Sequence, residues 1–484
     1  MNHKRLPQAM ILTTLLTVGP MSLNLAAAEV PLGHQDFVPS TEHPVGFRGD
    51  GSGHFPGATP PTTWDLVKGS GVAWKTPLPG RSFASVIVVG KKVFAVSSPH
   101  HLFCLDADTG AILWQKDVDP IALLAKDQAE KVRQDLAALV AEVKAQPKLD
   151  DRNAQSVRAA KITALAAQGA VSDDIPHSFG SLAPSTPASD GTRVYVQFPA
   201  GVLVAYDLAG KELWKIPAIP TGWPIGNASP VVCQGRVLAV CGSRGKPTLL
   251  CVDAATGTEQ WRASYGSLDH TGAGTPVVVK TSDGWKVASP VKTIFDLTTG
   301  KEWRSHAYHV AKGASPVVDG TRIIFVHNEK NPKQVAIFDC AGSAPGDGAT
   351  PWPRQSGAGT ASPLVVDGKV YIPDQRGCAL ELMDLATGQV LVVADKTKPL
   401  CRLGPTTSTA GYAIEPSPTL AGKCIYQVII DGQTAVIEPG VPLKVLAVNP
   451  GTETHASPFF HGNRIFLRTH NGIVCIGETT TNKP

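Results

Sequence analysis

Residues 249–261 read LLCVDAATGTEQW, and residues 102–114 read LFCLDADTGAILW. Each is an apolar strand ending in Asp, a turn closed by Thr-Gly, and a second strand carrying Trp. Asp106 to Gly110, Asp253 to Gly257, Asp296 to Gly300 and Asp384 to Gly388 share one spacing. The Asp side chain of such a turn accepts backbone N–H groups, and the Gly takes a positive φ. Trp114, Trp214 and Trp261 follow their turn glycines by four residues, whereas Trp303 follows Gly300 by three. A Trp at one fixed place in each repeat is expected to wedge between neighbouring units and bury a large face.

Outward from these turns, each unit opens with a small hydroxyl residue and a Val-rich strand. The openings are Ser85-Val86, Thr186-Pro187, Ser229-Pro230, Thr275-Pro276, Ser315-Pro316, Ser362-Pro363, Ser417-Pro418 and Ser457-Pro458. The spacing after the first unit is 40–55 residues, the length of a four-stranded propeller blade. Eight openings predict an all-β, eight-bladed β-propeller over residues 71–478. The last unit ends without a Trp strand, and residues 71–78 (GVAWKTPL) form such a strand without a unit. This strand, with Trp74, is expected to complete the last blade and close the ring, which removes free sheet edges.

The first interval is long because of an insertion at about 119–175. Val132, Leu136, Leu139 and Val143 recur at helical spacing, and Val157, Ile162 and Leu165 mark a second helix. A helical hairpin is expected here, either a solvated projection or a docking arm.

Residues 1–28 read as a signal peptide: Lys4 and Arg5, an apolar run, then Ala26-Ala27-Ala28. No Cys follows that run before Cys104, which argues against a lipoprotein, and no later stretch is apolar enough to span a bilayer. The chain is therefore expected to be periplasmic or extracellular, and monomeric. Residues 29–70 form an extended N-terminal segment and 479–484 a polar tail. The net charge is +4, and removing Lys4 and Arg5 leaves +2, with no dense basic run, so nucleic acid is not an expected partner. The nine cysteines include no CxxC, CxxCH or adjacent pair. Most read as buried small hydrophobes, with a disulfide from Cys241 to Cys233 or Cys251 as the alternative.

The quoted repeats, together with ASPLVVDGKVYIPDQRGCALELMDLATG (361–388), resemble the pyrroloquinoline-quinone (PQQ)-like propeller family over about 70–478. FRGDGSGHFPG (47–57) followed by VAWKTPLPG (72–80) resembles the leading segment of exported bacterial members. The family holds both quinone-dependent dehydrogenases and scaffolds such as the propeller subunit of the outer-membrane β-barrel assembly machine, so it does not fix an activity. In the dehydrogenases the resemblance implies PQQ over the channel, a Ca²⁺ held by carboxylate and amide oxygens, a base Asp and, in the alcohol enzymes, an adjacent Cys-Cys disulfide. This chain lacks the adjacent cysteines, and no motif places the calcium ligands. A non-catalytic scaffold for a protein or small ligand is the leading reading; a PQQ-dependent alcohol or sugar dehydrogenase and a carbohydrate-binding propeller are the alternatives.

In a propeller, the loops leading into the innermost strands gather at one channel mouth. Here they carry Arg81, Trp223, Asn227, His270, Lys312, Gln355, Tyr412, Glu415 and His455. Arg81 and Lys312 suit an anion, and Trp223 suits a flat ring. His306 and His309 read as a turn pair rather than metal ligands. Phosphate-loop, serine-hydrolase and kinase motifs are missing.

Overall fold

The computed structural model describes residues 30–478 except 176–181, 199–200, 219–227, 244–245, 266–273, 310–313, 328–333, 342–348, 354–359, 375–377, 394–399 and 401–414. The expected signal peptide and C-terminal tail lie outside the described residues.

The strands form eight sheets around a ring. Blade 1 comprises Ile87–Val89, Lys92–Ser97, His101–Asp106 and Ile112–Asp117, each antiparallel to the next. Blades 2 to 7 repeat this plan, with innermost strands beginning at Ala188, Val231, Val277, Val317, Leu364 and Thr419. Blade 8 takes Phe459–His461, Arg464–Thr469 and Gly472–Ile476 from the end of the chain, and its outermost strand is Val72–Pro77. Trp74 pairs with Cys475, and Thr76 with Ile473. The ring is closed by a strand from near the start of the chain.

The eight opening hydroxyls have a common task. The Ser85 amide donates to Thr186 Oγ1 (3.0 Å), Thr186 to Ser229 Oγ (2.9 Å), and Ser229 to Thr275 Oγ1 (3.0 Å). The chain of bonds continues through Ser315, Ser362, Ser417 and Ser457 at 2.8–2.9 Å. Ser85 Oγ then donates to Ser457 O (2.8 Å), completing a buried belt. Buried amides must find acceptors, and the neighbouring blade supplies them. The one link of different chemistry involves Ser85, where Val86 replaces the usual Pro.

The turns also join blades. Asp253 Oδ1 accepts the amides of Ala255 and Thr256 and the Thr256 hydroxyl, and Asp106, Asp296 and Asp384 do the same in their turns. Trp74, Trp114, Trp214 and Trp261 each donate Nε1 to a carbonyl of the following blade: Ala107, Leu208, Ala254 and Leu297. A Cβ at Gly257 would lie 2.6 Å from the Trp214 ring, so the turn glycine is also where the indole sits. Trp303 is placed differently. Its one-residue offset lets Arg304 reach the next blade, through Nη1 to Asp339 O (3.2 Å), while the Trp303 ring lies 4.1 Å beneath that guanidinium. In blade 5, Trp352 packs against Gly388 of blade 6. Trp352 was not among the expected blade tryptophans; its strand, Ala349–Pro353, contains two prolines, which an outermost strand tolerates.

The insertion forms a 3₁₀ turn (Pro120–Leu123) and two helices, Lys126–Ala145 and Arg152–Ala166. Asp119 and Asp151 cap them through the amides of Ile121 and Ala154. Val132, Leu139, Val143 and Leu165 form a small separate core. Val157, expected on the apolar face, is exposed, because the second helix packs through Arg158 instead: its Nε meets Glu142 (3.1 Å) and its Nη1 meets Gln146 O (2.8 Å). No described helix is long and apolar enough to cross a membrane.

Residues 30–59 cross the face of the ring formed by the turns that leave the innermost strands. Gly33 N bonds Asp190 O in blade 2, Gln234 N of blade 3 bonds Phe37 O, and Thr59 N bonds Gly462 O in blade 8. Between these points His54–Phe55 adds a fifth, parallel strand to the innermost strand of blade 7. Only about 30 Å³ remains between Gly46–Gly51 and blades 2 to 4, room for one or two waters. Arg48 is buried there. Its Nη2 donates to Pro418 O (2.9 Å), its Nε and Nη1 have no partner, and burial pushes its pKa down to about 9.

Candidate functional site

The opposite mouth is lined by the loops that lead into the innermost strands and by the second hairpin turn of each blade. Its described part lies where blades 7, 8 and 1 meet. Glu453 and His455 sit on the loop into blade 8, His470 on that blade's hairpin turn after Arg464–Thr469, and Arg81 and Phe83 on the loop into blade 1. Glu415 precedes Ser417 of the belt.

Backbone bonds fix this arrangement. His470 N donates to Glu453 O (3.0 Å), Thr454 N to Ile430 O (3.0 Å), and Ser98 N to Arg81 O (2.9 Å). Beneath them the buried Arg468 guanidinium donates to Gly80 O, Val96 O, Ser97 Oγ and Gly472 O, tying blade 8 to blade 1. A buried Arg with this many acceptors makes the floor of the mouth rigid.

The side chains form a compact set. His455 Nδ1 is hydrogen-bonded to Glu415 Oε2. The Phe83 ring stacks on His455 at 3.9 Å, and His455 stacks on His470 at 5.1 Å with 6° between planes. His470 Nδ1 lies 3.3 Å from Glu453 Oε1, and its Nε2 is buried with no partner. Burial pushes the His470 pKa down to about 4; His455, Arg81 and Arg468 act in the same direction and Glu453 opposes them. His470 is therefore a neutral imidazole at neutral pH. A cavity of about 330 Å³ adjoins it, lined in part by Lys75, Arg81, Glu453 and Asn471.

The structure thus brings together Arg81, Glu415 and His455 from the predicted mouth. Trp223, Asn227, His270, Lys312, Gln355 and Tyr412 lie outside the described residues. Sequence reasoning missed Phe83, Glu453 and His470. Phe83 and Glu453 stand on loops already singled out. His470 was missed because only the loops leading into innermost strands were considered, although the second hairpin turn of each blade reaches the same face.

The residues described here do not reproduce a quinone and calcium donor set. The two carboxylates of the cluster are each paired with a histidine, and the sequence has no adjacent cysteines. Cys104, Cys233, Cys241, Cys251, Cys340, Cys424 and Cys475 are free, which removes the expected alternative of a disulfide in blade 3. Burial pushes the thiols of Cys241 and Cys251 up to about 11 and about 12, as for inert core residues. His306 and His309, read as a turn pair, lie within the outermost strand of blade 4.

Comparison with known proteins agrees with this architecture. No curated protein matches the sequence. Among solved structures, BamB from Moraxella catarrhalis has a TM-score of 0.54 at 12% identity, covering 85% of this chain and 98% of that one. Quinohemoprotein alcohol dehydrogenase from Comamonas testosteroni has a TM-score of 0.53 at 14% identity, covering 91% and 82%. The computationally designed Ika8 protein has a TM-score of 0.51 at 12% identity, covering 83% and 98%. At these identities the likeness shows the fold alone: a dehydrogenase and a designed protein share it. One family model, described as outer membrane protein assembly factor BamB, matches segments 62–175, 174–302 and 200–428. With the belt, the Asp-turns and the strand-closed ring in place, that match over most of the chain makes it a member of this BamB-like family of PQQ-like repeat propellers.

Proposed function

We propose that this protein is an exported, non-catalytic binding propeller that engages a protein partner through its loop face. The carrying observation is the asymmetry of the channel: residues 30–58 occupy one mouth, and among the described residues the other presents grouped titratable side chains. The family supports the protein-binding role, because its description names an assembly factor. Removal of residues 1–28 would place the mature chain in the periplasm, beginning at Glu29, which N-terminal sequencing of the secreted form checks.

A photoreactive amino acid at Arg81, on the loop face, is expected to give a discrete crosslinked adduct in cells. The same probe at the exposed Lys423, on the covered face, is expected to give none. Adducts from Lys423 alone, or from neither position, would overturn the reading. Dye reduction with alcohols or sugars after addition of PQQ and Ca²⁺ would replace it with the dehydrogenase reading, and retention on a polysaccharide column with the carbohydrate one.

A further inference from the structure

We infer that Glu453, His455 and His470 form a binding site for a single divalent transition-metal ion, with zinc the best chemical match. One donor atom from each of the three residues can be chosen so that all lie within 4.8 Å of one another, from two segments that the ring brings together. Two nitrogens and one carboxylate oxygen suit zinc and its neighbours, whereas calcium and magnesium prefer all-oxygen sites. In a tetrahedral zinc site, with bonds of about 2.0–2.1 Å, neighbouring donors stand about 3.3 Å apart. Glu453 Oε1 and His470 Nδ1 already stand at 3.3 Å. The widest pair must close by up to about 1.5 Å, which rotation of the exposed Glu453 side chain and of the parallel imidazoles supplies.

Two further features favour an ion over a simple polar cluster. Glu415 holds His455 through Nδ1, which leaves Nε2 as the nitrogen available to a metal. A carboxylate behind a histidine is the usual device for fixing a ligand's tautomer and raising its basicity. The His470 side chain is 93% buried, and its Nδ1, which faces the Glu453 carboxylate, is the nitrogen the ion would take. Three protein ligands leave a fourth position, and the adjoining cavity of about 330 Å³ opens that position to solvent or to a partner's side chain. Arg81 and Arg468 lie near enough to weaken the affinity of a cation, which places this site below a structural zinc centre in strength.

The inference goes beyond the scaffold reading and stands without it. Tag-free, chelator-treated protein is titrated with Co²⁺ and followed by visible absorption, then with Zn²⁺ by calorimetry. One site per chain is expected, with the intense visible bands of tetrahedral cobalt, displaced by Zn²⁺. His470→Ala and Glu453→Gln are each expected to weaken binding by at least tenfold, and Glu415→Gln by about 10–100-fold through loss of the orienting carboxylate. Lys444→Ala, on the outermost strand of blade 7, should leave binding unchanged. As a check that needs no variant, X-ray absorption at the zinc edge of the wild-type protein should show two imidazoles and oxygen ligands. No saturable Co²⁺ or Zn²⁺ binding, binding indifferent to His470 and Glu453, or fewer than two imidazoles around zinc would each overturn the inference. Crosslinking from Arg81 in metal-free protein reads the scaffold role separately.

Discussion

The two mouths of the channel are built from different materials. One is filled by chain: residues 30–58 lie across it, with Phe55 against Phe459 and Phe460 at 5.1 and 5.3 Å. The other is rimmed by side chains that titrate or carry charge, namely Arg81, Glu415, Glu453, His455 and His470. The first arrangement buries apolar surface and backbone, and is worth stability. The second gathers imidazoles and carboxylates beside an open cavity, which contributes little to stability and suits recognition. The same ring thus carries its stability at one end and its chemistry at the other.

That contrast can be broken by substitution. Phe55→Ala at the filled mouth should have the largest effect, a loss of about 3–5 kcal/mol in chemical denaturation. Parity with loop-face substitutions would mean the N-terminal segment is only loosely laid on. Next comes Asp190, in the blade 2 turn that accepts Gly33 N. Burial pushes its carboxyl up, but the amides of Thr192 and Arg193 and the Tyr195 hydroxyl more than reverse this and hold it below the usual carboxylate range. Its stabilisation is therefore present above the unfolded value of about 3.9 and is lost as pH falls through the lower folded value. Asp190→Asn should cost about 2 kcal/mol at neutral pH, with the gap from wild type closing in strong acid. Melting curves between pH 2 and 7 would check it.

Ser315→Ala sharpens the comparison midway along the axis. It removes the acceptor of the Thr275 amide and should cost about 1 kcal/mol, at the low end for a buried unpaired donor. Glu453→Gln, at the loop mouth, should shift stability by less than about 0.5 kcal/mol. A loss several times larger would show that this mouth is structural after all.

The sequence made the ring legible because its defining contacts repeat. Each opening Ser or Thr, each turn Asp and each Trp recurs at a fixed offset, so a bond between blades appears as a pattern along the chain. Trp303 shows how fine that signal is: its three-residue offset from Gly300 marked an interface where Arg304 stands at the reaching position that Trp261 holds in the blade before. The N-terminal segment left no such trace. Its partners are single contacts far away in sequence, such as Arg48 with Pro418, and no periodicity reports them. The loop-face cluster was half legible for the same reason. Glu415 and His455 stood on loops that the repeat located, but His470 acts through a turn whose position becomes meaningful only when the blades are stacked.

The strand Val72–Pro77 is synthesised about 400 residues before its partner Gly472–Ile476. Until that partner is made, blade 8 cannot exist and the ring has two raw edges that invite pairing with other chains. A polypeptide made this way gains from being kept unfolded until it is whole. Translocation of an unfolded chain across a membrane, followed by folding on the far side, would meet that need.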